Sequence, residues 1–174
     1  VIARDGLSGA TLRAIAAQAG CTTGSLTHHF ADRQALLDYA LGLVCEGSTE
    51  RVVARLADGT LADALAELLP LDDARTLEGA VWLANVSAAH DDPAVSAALI
   101  RRSDASFAAL TSAFGTRLAA QGRALDHEEL DLLVDEILTA VDGIAVYALS
   151  DPIRYTEQRQ RLLLARVLER VGLA

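Results

Sequence analysis

Apolar residues recur along the chain at spacings of three and four, and the breaks in that rhythm divide it into helical blocks joined by short turns. The first block ends near Asp5-Gly6. Residues 11–19 predict a short helix closed by Gly20, and residues 23–30 a second one with Thr22 as its N-cap. Asp32 caps a long helix that runs toward Leu56, where Asp58-Gly59 makes a turn. Further helices are expected over about 60–69, 73–90, 93–121, 127–149 and 154–171, with Pro70, Asp91-Asp92-Pro93, Gly122 and Asp151-Pro152 at the joints. Asp142-Gly143 is a dipeptide that favours hairpin turns. Leu133, Ile137, Val141, Ile144 and Ala148 nevertheless carry a 3.6-residue stripe across it, so it reads as helix.

Composition narrows the class. The 174 residues hold 34 Ala and 29 Leu, both good helix formers, and no long β-branched alternation, which predicts an all-α fold of about nine helices. That length suits one compact domain, or one with a small appended module. The uncharged runs 79–90 and 105–116 fall short of the roughly 20 residues that cross a bilayer, and no signal peptide opens the chain. A cytoplasmic protein without membrane association is expected. Cys21 and Cys45 lack CxxC spacing and predict neither a disulfide framework nor a zinc site. No cofactor is implied.

Charge first argues against nucleic acid, because the net is -9 and the pI near 4.8. The average hides a split. Arg4, Arg13 and Arg33 balance Asp5, Asp32 and Asp38 in residues 1–45, with His28 and His29 in reserve, so residues 46–174 carry the whole excess. A neutral amino-terminal module on an acidic body suits a chain in which only the first part approaches a polyanion. A chain that opens on Val1 and contains no Met also predicts that further residues precede it.

The most informative stretch is Thr11-Leu-Arg-Ala-Ile-Ala-Ala-Gln-Ala-Gly20-Cys-Thr-Thr-Gly-Ser-Leu-Thr-His-His-Phe30, whose two short helices and tight turn have helix-turn-helix spacing. Small Ala16 lets the helices cross closely, Gly20 tolerates a left-handed turn, and Ile15, Leu26 and Phe30 fill the space beneath. The opposite face presents Thr23, Gly24, Thr27 and His28, groups able to reach base edges or phosphates. An ordinary capped helical hairpin is the plainer alternative.

Ile15-Ala16, Ala19-Gly20, Thr23-Gly24-Ser25-Leu26, His29-Phe30, Arg33 and Leu36-Leu37 resemble the DNA-binding domain of the tetracycline-repressor (TetR) family of bacterial regulators. The resemblance covers most of residues 2–45. It implies that Thr11 and Arg13 touch phosphate beside the second helix, that Thr22, Thr23, Ser25, Thr27 and His28 supply recognition-helix contacts, and that His29 and Arg33 hold the backbone. Thr27 stands where the family usually has Tyr, and Arg33 where it usually has Lys. The first departure removes a common phosphate contact; the second keeps the charge.

Residues 72–172 resemble, less specifically, the ligand-binding domain of the family's choline-sensing branch, through Glu78-Gly-Ala-Val-Trp82, Asp92-Pro93, Asp142-Gly143 and Asp151-Pro152. The last two helices carry apolar stripes: Leu133, Ile137, Val141, Ile144 and Ala148 on one, Leu163, Val167 and Val171 on the other. Such stripes predict a four-helix interface between two copies, with packing inside the monomer as the alternative. Trp82 and Asn85 share a face of one middle helix, and Phe107, Leu110 and Phe114 form a stripe on the next. They are candidate walls of a cavity made polar by His90, Asp104 or Tyr147, with plain core as the alternative.

The expectation is a homodimeric, ligand-responsive repressor that reads a pseudo-palindromic double-stranded DNA operator, with residues 1–45 as reading head and 46–174 as effector and dimer domain. Its effector would be mostly apolar, and cationic if Asp104 faces the cavity. An all-α ligand carrier or oligomeric scaffold without DNA binding is the competing class. No nucleophile and base are paired in a way that suggests an enzyme.

Overall fold

The computed structural model describes residues 1–173, and among these all regular structure is helical. The elements are α1 (Ile2–Gly9), α2 (Leu12–Ala19), α3 (Thr23–His29), α4 (Arg33–Asp58), α5 (Leu61–Leu65) with a 3-10 turn Ala66–Leu68, α6 (Asp73–Ala89), α7 (Pro93–Ala120), α8 (His127–Ser150) and α9 (Glu157–Arg170). Most begin on a hydroxyl or carboxylate that accepts a backbone N–H of the first turn: Thr11, Thr22, Asp32, Thr60, Asp72, Asp92, Asp126 and Thr156. Each such cap contributes about 1 kcal/mol. Asp126 and Glu129 add the reciprocal bond of a capping box.

At two Asp-Gly pairs the local chemistry decides whether the helix breaks or continues. The first helix breaks at Asp5-Gly6 as expected: Gly6 takes φ +68° and ψ -179°, and a further helical turn runs on to Gly9. Asp142-Gly143 stays inside α8, as the apolar stripe across it requires.

One core fills the body. Val52 and Leu56 of α4, Leu65 of α5, Leu69 after the 3-10 turn, Leu110 and Phe114 of α7, Val134, Ile137 and Val141 of α8, and Leu164 and Leu168 of α9 are buried together. A second, smaller cluster joins Ile2, Ala10 and Leu37 to Leu7, Ile15 and Ala40, and Val81 and Ala84 of α6 complete it. The head therefore borrows part of its core from the body. Helices α4 and α7 approach closely at Gly42, where a Cβ would lie 2.8 Å from the Arg102 guanidinium carbon. Arg102 crosses there to pair with Asp38 and Glu46.

The stripe expected to join two copies does something else. Ile137 and Val141 are 0% exposed, Ile144, Ala148 and Val167 are buried, and Leu133, Leu163 and Val171 are half-buried against the body's own core. The apolar side of α8 packs within the chain against α6, α7 and α9, and its centre at Ile137 and Val141 has no surface left for a second copy. Leu132, Gly143 and Tyr147 of α8 and Leu162 of α9 face outward instead.

Candidate functional site

The reading head is built around one turn. Gly20 caps α2 in the left-handed region, φ +68° and ψ +26°, and the Cys21 amide donates back to the Ala16 carbonyl at 3.0 Å. A side chain at residue 20 would strain this backbone. Thr22 Oγ1 then accepts from the Ser25 amide at 3.1 Å and starts α3, as Thr11 Oγ1 starts α2 by accepting from Ala14. Two expected DNA contacts thus also hold helix ends.

Helix α3 lies on the surface. Leu26 and Phe30 are half-buried beneath it, and Phe30 packs on the Tyr39 ring at 5.4 Å between centroids. Thr23, Ser25, Thr27, His28 and His29 are exposed, as is Arg13 on α2. The Thr27 hydroxyl donates to the Gly24 carbonyl at 3.2 Å, leaving its oxygen lone pairs turned outward. Arg33 is different. Its Nε donates to the Ala10 carbonyl at 2.8 Å and its Nη2 to Leu7, so it ties the start of α4 to the end of α1 from a half-buried position. The backbone it holds is the protein's own.

In the body, α4, the 3-10 turn, α6, α7 and α8 enclose a cavity of about 290 Å³. Of the expected residues, Trp82, Phe107 and Leu110 line it. The other five do not. Asn85 is buried and spends its amide on the Val81 carbonyl, Phe114 belongs to the core, and Asp104 is exposed on α7. The His90 side chain is 90% exposed at the end of α6, and Tyr147 is stacked on Tyr155 at 5.5 Å on the outer surface.

Polarity comes from residues that helix periodicity did not single out. Glu67, Glu78, Asp135 and Asp142 face the cavity with Cys45, Thr49 and Ser106. Thr49 bridges two walls, its hydroxyl lying 2.7 Å from the Cys45 carbonyl and 2.9 Å from Ser106 Oγ. Asp142 keeps surface open to the cavity but is crowded by protein, and that burial pushes its carboxyl up to about 6. Burial also raises the Cys45 thiol, which disfavours a reactive thiolate. Arg75 is the cation in the wall, and it is held by Asp72 and Glu67. The lining therefore combines two aromatic rings with a surplus of carboxylates. A second cavity of about 610 Å³ near the ends of α7 and α9 has the opposite chemistry, with Arg117 and Arg123 in its wall. No group of three or more His, Cys, Asp or Glu among the described residues is arranged to hold a metal ion.

Known proteins share this arrangement. Residues 1–40 match the family of bacterial regulatory proteins of the tetR type, and residues 57–172 match the carboxy-terminal domain of BetI-type transcriptional repressors. The HTH-type transcriptional regulator PksA of Bacillus subtilis (strain 168) is 28% identical over 183 residues, covering 98% of this chain and 84% of that protein. A transcriptional regulator of Rhodococcus sp. Rha1 has a similar structure, with TM-score 0.68, 28% identity and coverage of 97% of this chain and 90% of that one. A proposed transcriptional regulator of Saccharomonospora viridis, solved in complex with choline, superposes with TM-score 0.76 at 21% identity over 97% of this chain and 89% of its own. With the helix-turn-helix in the first match and the cavity helices in the second, the chain belongs to the TetR family of transcriptional regulators and carries a BetI-type carboxy-terminal domain.

Proposed function

We propose that the protein is a cytoplasmic homodimeric repressor that holds a pseudo-palindromic operator until a small organic cation enters the body cavity. The observation that carries this reading is α6. Its Val81 and Ala84 complete the core of the head, while its Glu78 and Trp82 line the cavity. A ligand that shifts α6 relative to α8 shifts the ground on which α1 rests. This route is shorter than one through α4 alone.

The head would dock α3 in the major groove, with Thr23, Ser25, Thr27 and His28 toward the bases and Arg13, Thr11 and His29 beside phosphate. The effector class follows from the lining. Trp82 and Phe107 offer aromatic faces to a cation, and Asp142 a carboxylate, which is the recognition chemistry of a quaternary ammonium. Choline, bound by the Saccharomonospora viridis protein, is the natural first probe.

The two copies would meet on the outward face of α8 and α9. Leu132, Gly143, Tyr147 and Leu162 lie there with acidic Glu136 on α8 and Arg159 and Arg166 on α9, so α8 of one copy can face α9 of the other with charges opposed. The test is binding of the protein to genomic fragments at two salt concentrations. One fragment should be retained with an affinity that falls steeply with salt. Equal binding of all fragments, or none, would favour a ligand carrier that does not read DNA.

A further inference from the structure

The cavity shares two of its carboxylates with the helix that carries the head. Arg51 of α4 brings both Nη atoms to Glu78, with Nη1 to Oε1 at 3.3 Å, and its Nε lies 3.3 Å from Glu67. Glu67 and Glu78 both line the cavity, and Trp82 stands one helical turn beyond Glu78 on α6.

These carboxylates are not equally free to change partner. Glu67 is surrounded by three guanidiniums, from Arg51, Arg55 at 3.6 Å and Arg75 at 3.5 Å, and its side chain is only 16% exposed. Among the described residues Glu78 pairs with Arg51 alone. A new cation beside Trp82 therefore finds in Glu78 a carboxylate whose release disturbs one ion pair, and that pair reaches α4. What α4 does, the head follows, because Asp32 caps it and Arg33 fastens its first turn to the Leu7 and Ala10 carbonyls.

We propose that the Arg51–Glu78 pair is a latch between α4 and α6, which a cationic ligand opens by competing with the Arg51 guanidinium for Glu78. This rests on the cationic effector proposed above. Ligand and latch are then linked: whatever weakens the pair strengthens ligand binding, and the ligand weakens the pair to the same degree. Arg51 acts as a positioning residue, and Glu78 exchanges one cation for another. A merely structural ion pair has the opposite signature, because breaking it loosens the cavity wall and lowers ligand affinity.

The test is titration of the full chain with choline chloride, read by the fluorescence of its single tryptophan, Trp82. Arg51→Met should bind choline tighter than the unaltered protein, on the order of fivefold. Glu78→Gln should bind it more weakly, and the double variant no tighter than Glu78→Gln alone. Arg51→Gln serves if the Met variant folds poorly, with far-UV circular dichroism as the check. Equal or weaker choline binding by both Arg51 variants overturns the latch while leaving the effector reading intact. No response of the unaltered protein to choline overturns the effector reading, and the trigger of the latch with it.

Discussion

Trp82 and Ala84 stand two residues apart on α6 and serve opposite sides of it: the indole lines the body cavity, and the methyl packs into the small core of the reading head. A single rigid helix thus touches both places whose coupling a ligand-operated repressor needs. A charge placed on the head side should separate them. In Ala84→Glu, choline should still quench Trp82, whereas operator affinity drops and no longer responds to choline. Retention of the response would show that α4 carries the signal without α6.

Arg33 should behave as a structural residue. Its two bonds to the Leu7 and Ala10 carbonyls are charge-assisted, and such bonds contribute about 1.5–3 kcal/mol each when partly buried. Arg33→Met should lower the thermal midpoint clearly. A variant that kept its midpoint and lost only the salt dependence of DNA binding would return Arg33 to the phosphate contacts.

On α3 the opposite is expected. Thr27 and His28 are exposed and the Thr27 hydroxyl bonds only within its own helix turn, so Thr27→Ala with His28→Ala should leave the melting curve within about 0.5 kcal/mol. Operator affinity should fall for specific sequence far more than for random DNA. Unchanged specificity would mean that another face enters the groove.

How much of this was legible beforehand depended on the range over which each feature is made. The caps at Thr22 and Asp32 and the turn at Gly20 use residues within one helical turn and are visible in the sequence, whereas Thr11, expected as the first helical residue, is itself the cap of α2. The cavity is assembled from α4, the 3-10 turn, α6, α7 and α8, so Glu78, Asp135 and Asp142 carry no local sign that they converge. Tyr147 and Asp104 share helices with cavity residues but point elsewhere. The α8 stripe is a true periodicity, but period identifies a buried face without saying what buries it, and here much of it is covered by the chain's own helices. Arg33 illustrates the same limit, since its acceptors lie 23 and 26 residues away.

The proposed interface gives a direct contrast. Leu132→Asp, on the outward face, should split the dimer and leave a folded monomer in sedimentation at micromolar concentration. Val141→Asp, at 0% exposure, should unfold the body. A folded monomer from Val141→Asp would restore the buried stripe as the interface.

Asp142 sets the pH dependence. Its folded carboxyl titrates near 6, above the ordinary value of 3.8, so the folded chain binds more protons than the unfolded chain between those values. Asp142 should therefore make stability fall as pH rises from about 4 to 6, with little further change above. A cation prefers the ionised form, so choline affinity should fall as pH drops below about 6, roughly tenfold by pH 5. Asp135, Glu67, Glu78, Arg75 and Cys45 face the same space, and Asp142→Asn isolates the one group. That variant should bind weakly at every pH. A titration of the same shape in Asp142→Asn would assign the effect to one of its neighbours.

The most direct measurement is the anisotropy of a labelled operator, taken from the retained genomic fragment, titrated with protein in the presence and absence of saturating choline while Trp82 emission is followed in the same cuvette. Quenching of Trp82 should coincide with weaker operator binding, by about 5- to 150-fold for a coupling of ordinary size. Trp82 quenching with operator affinity unmoved would contradict a repressor whose cavity controls its hold on DNA.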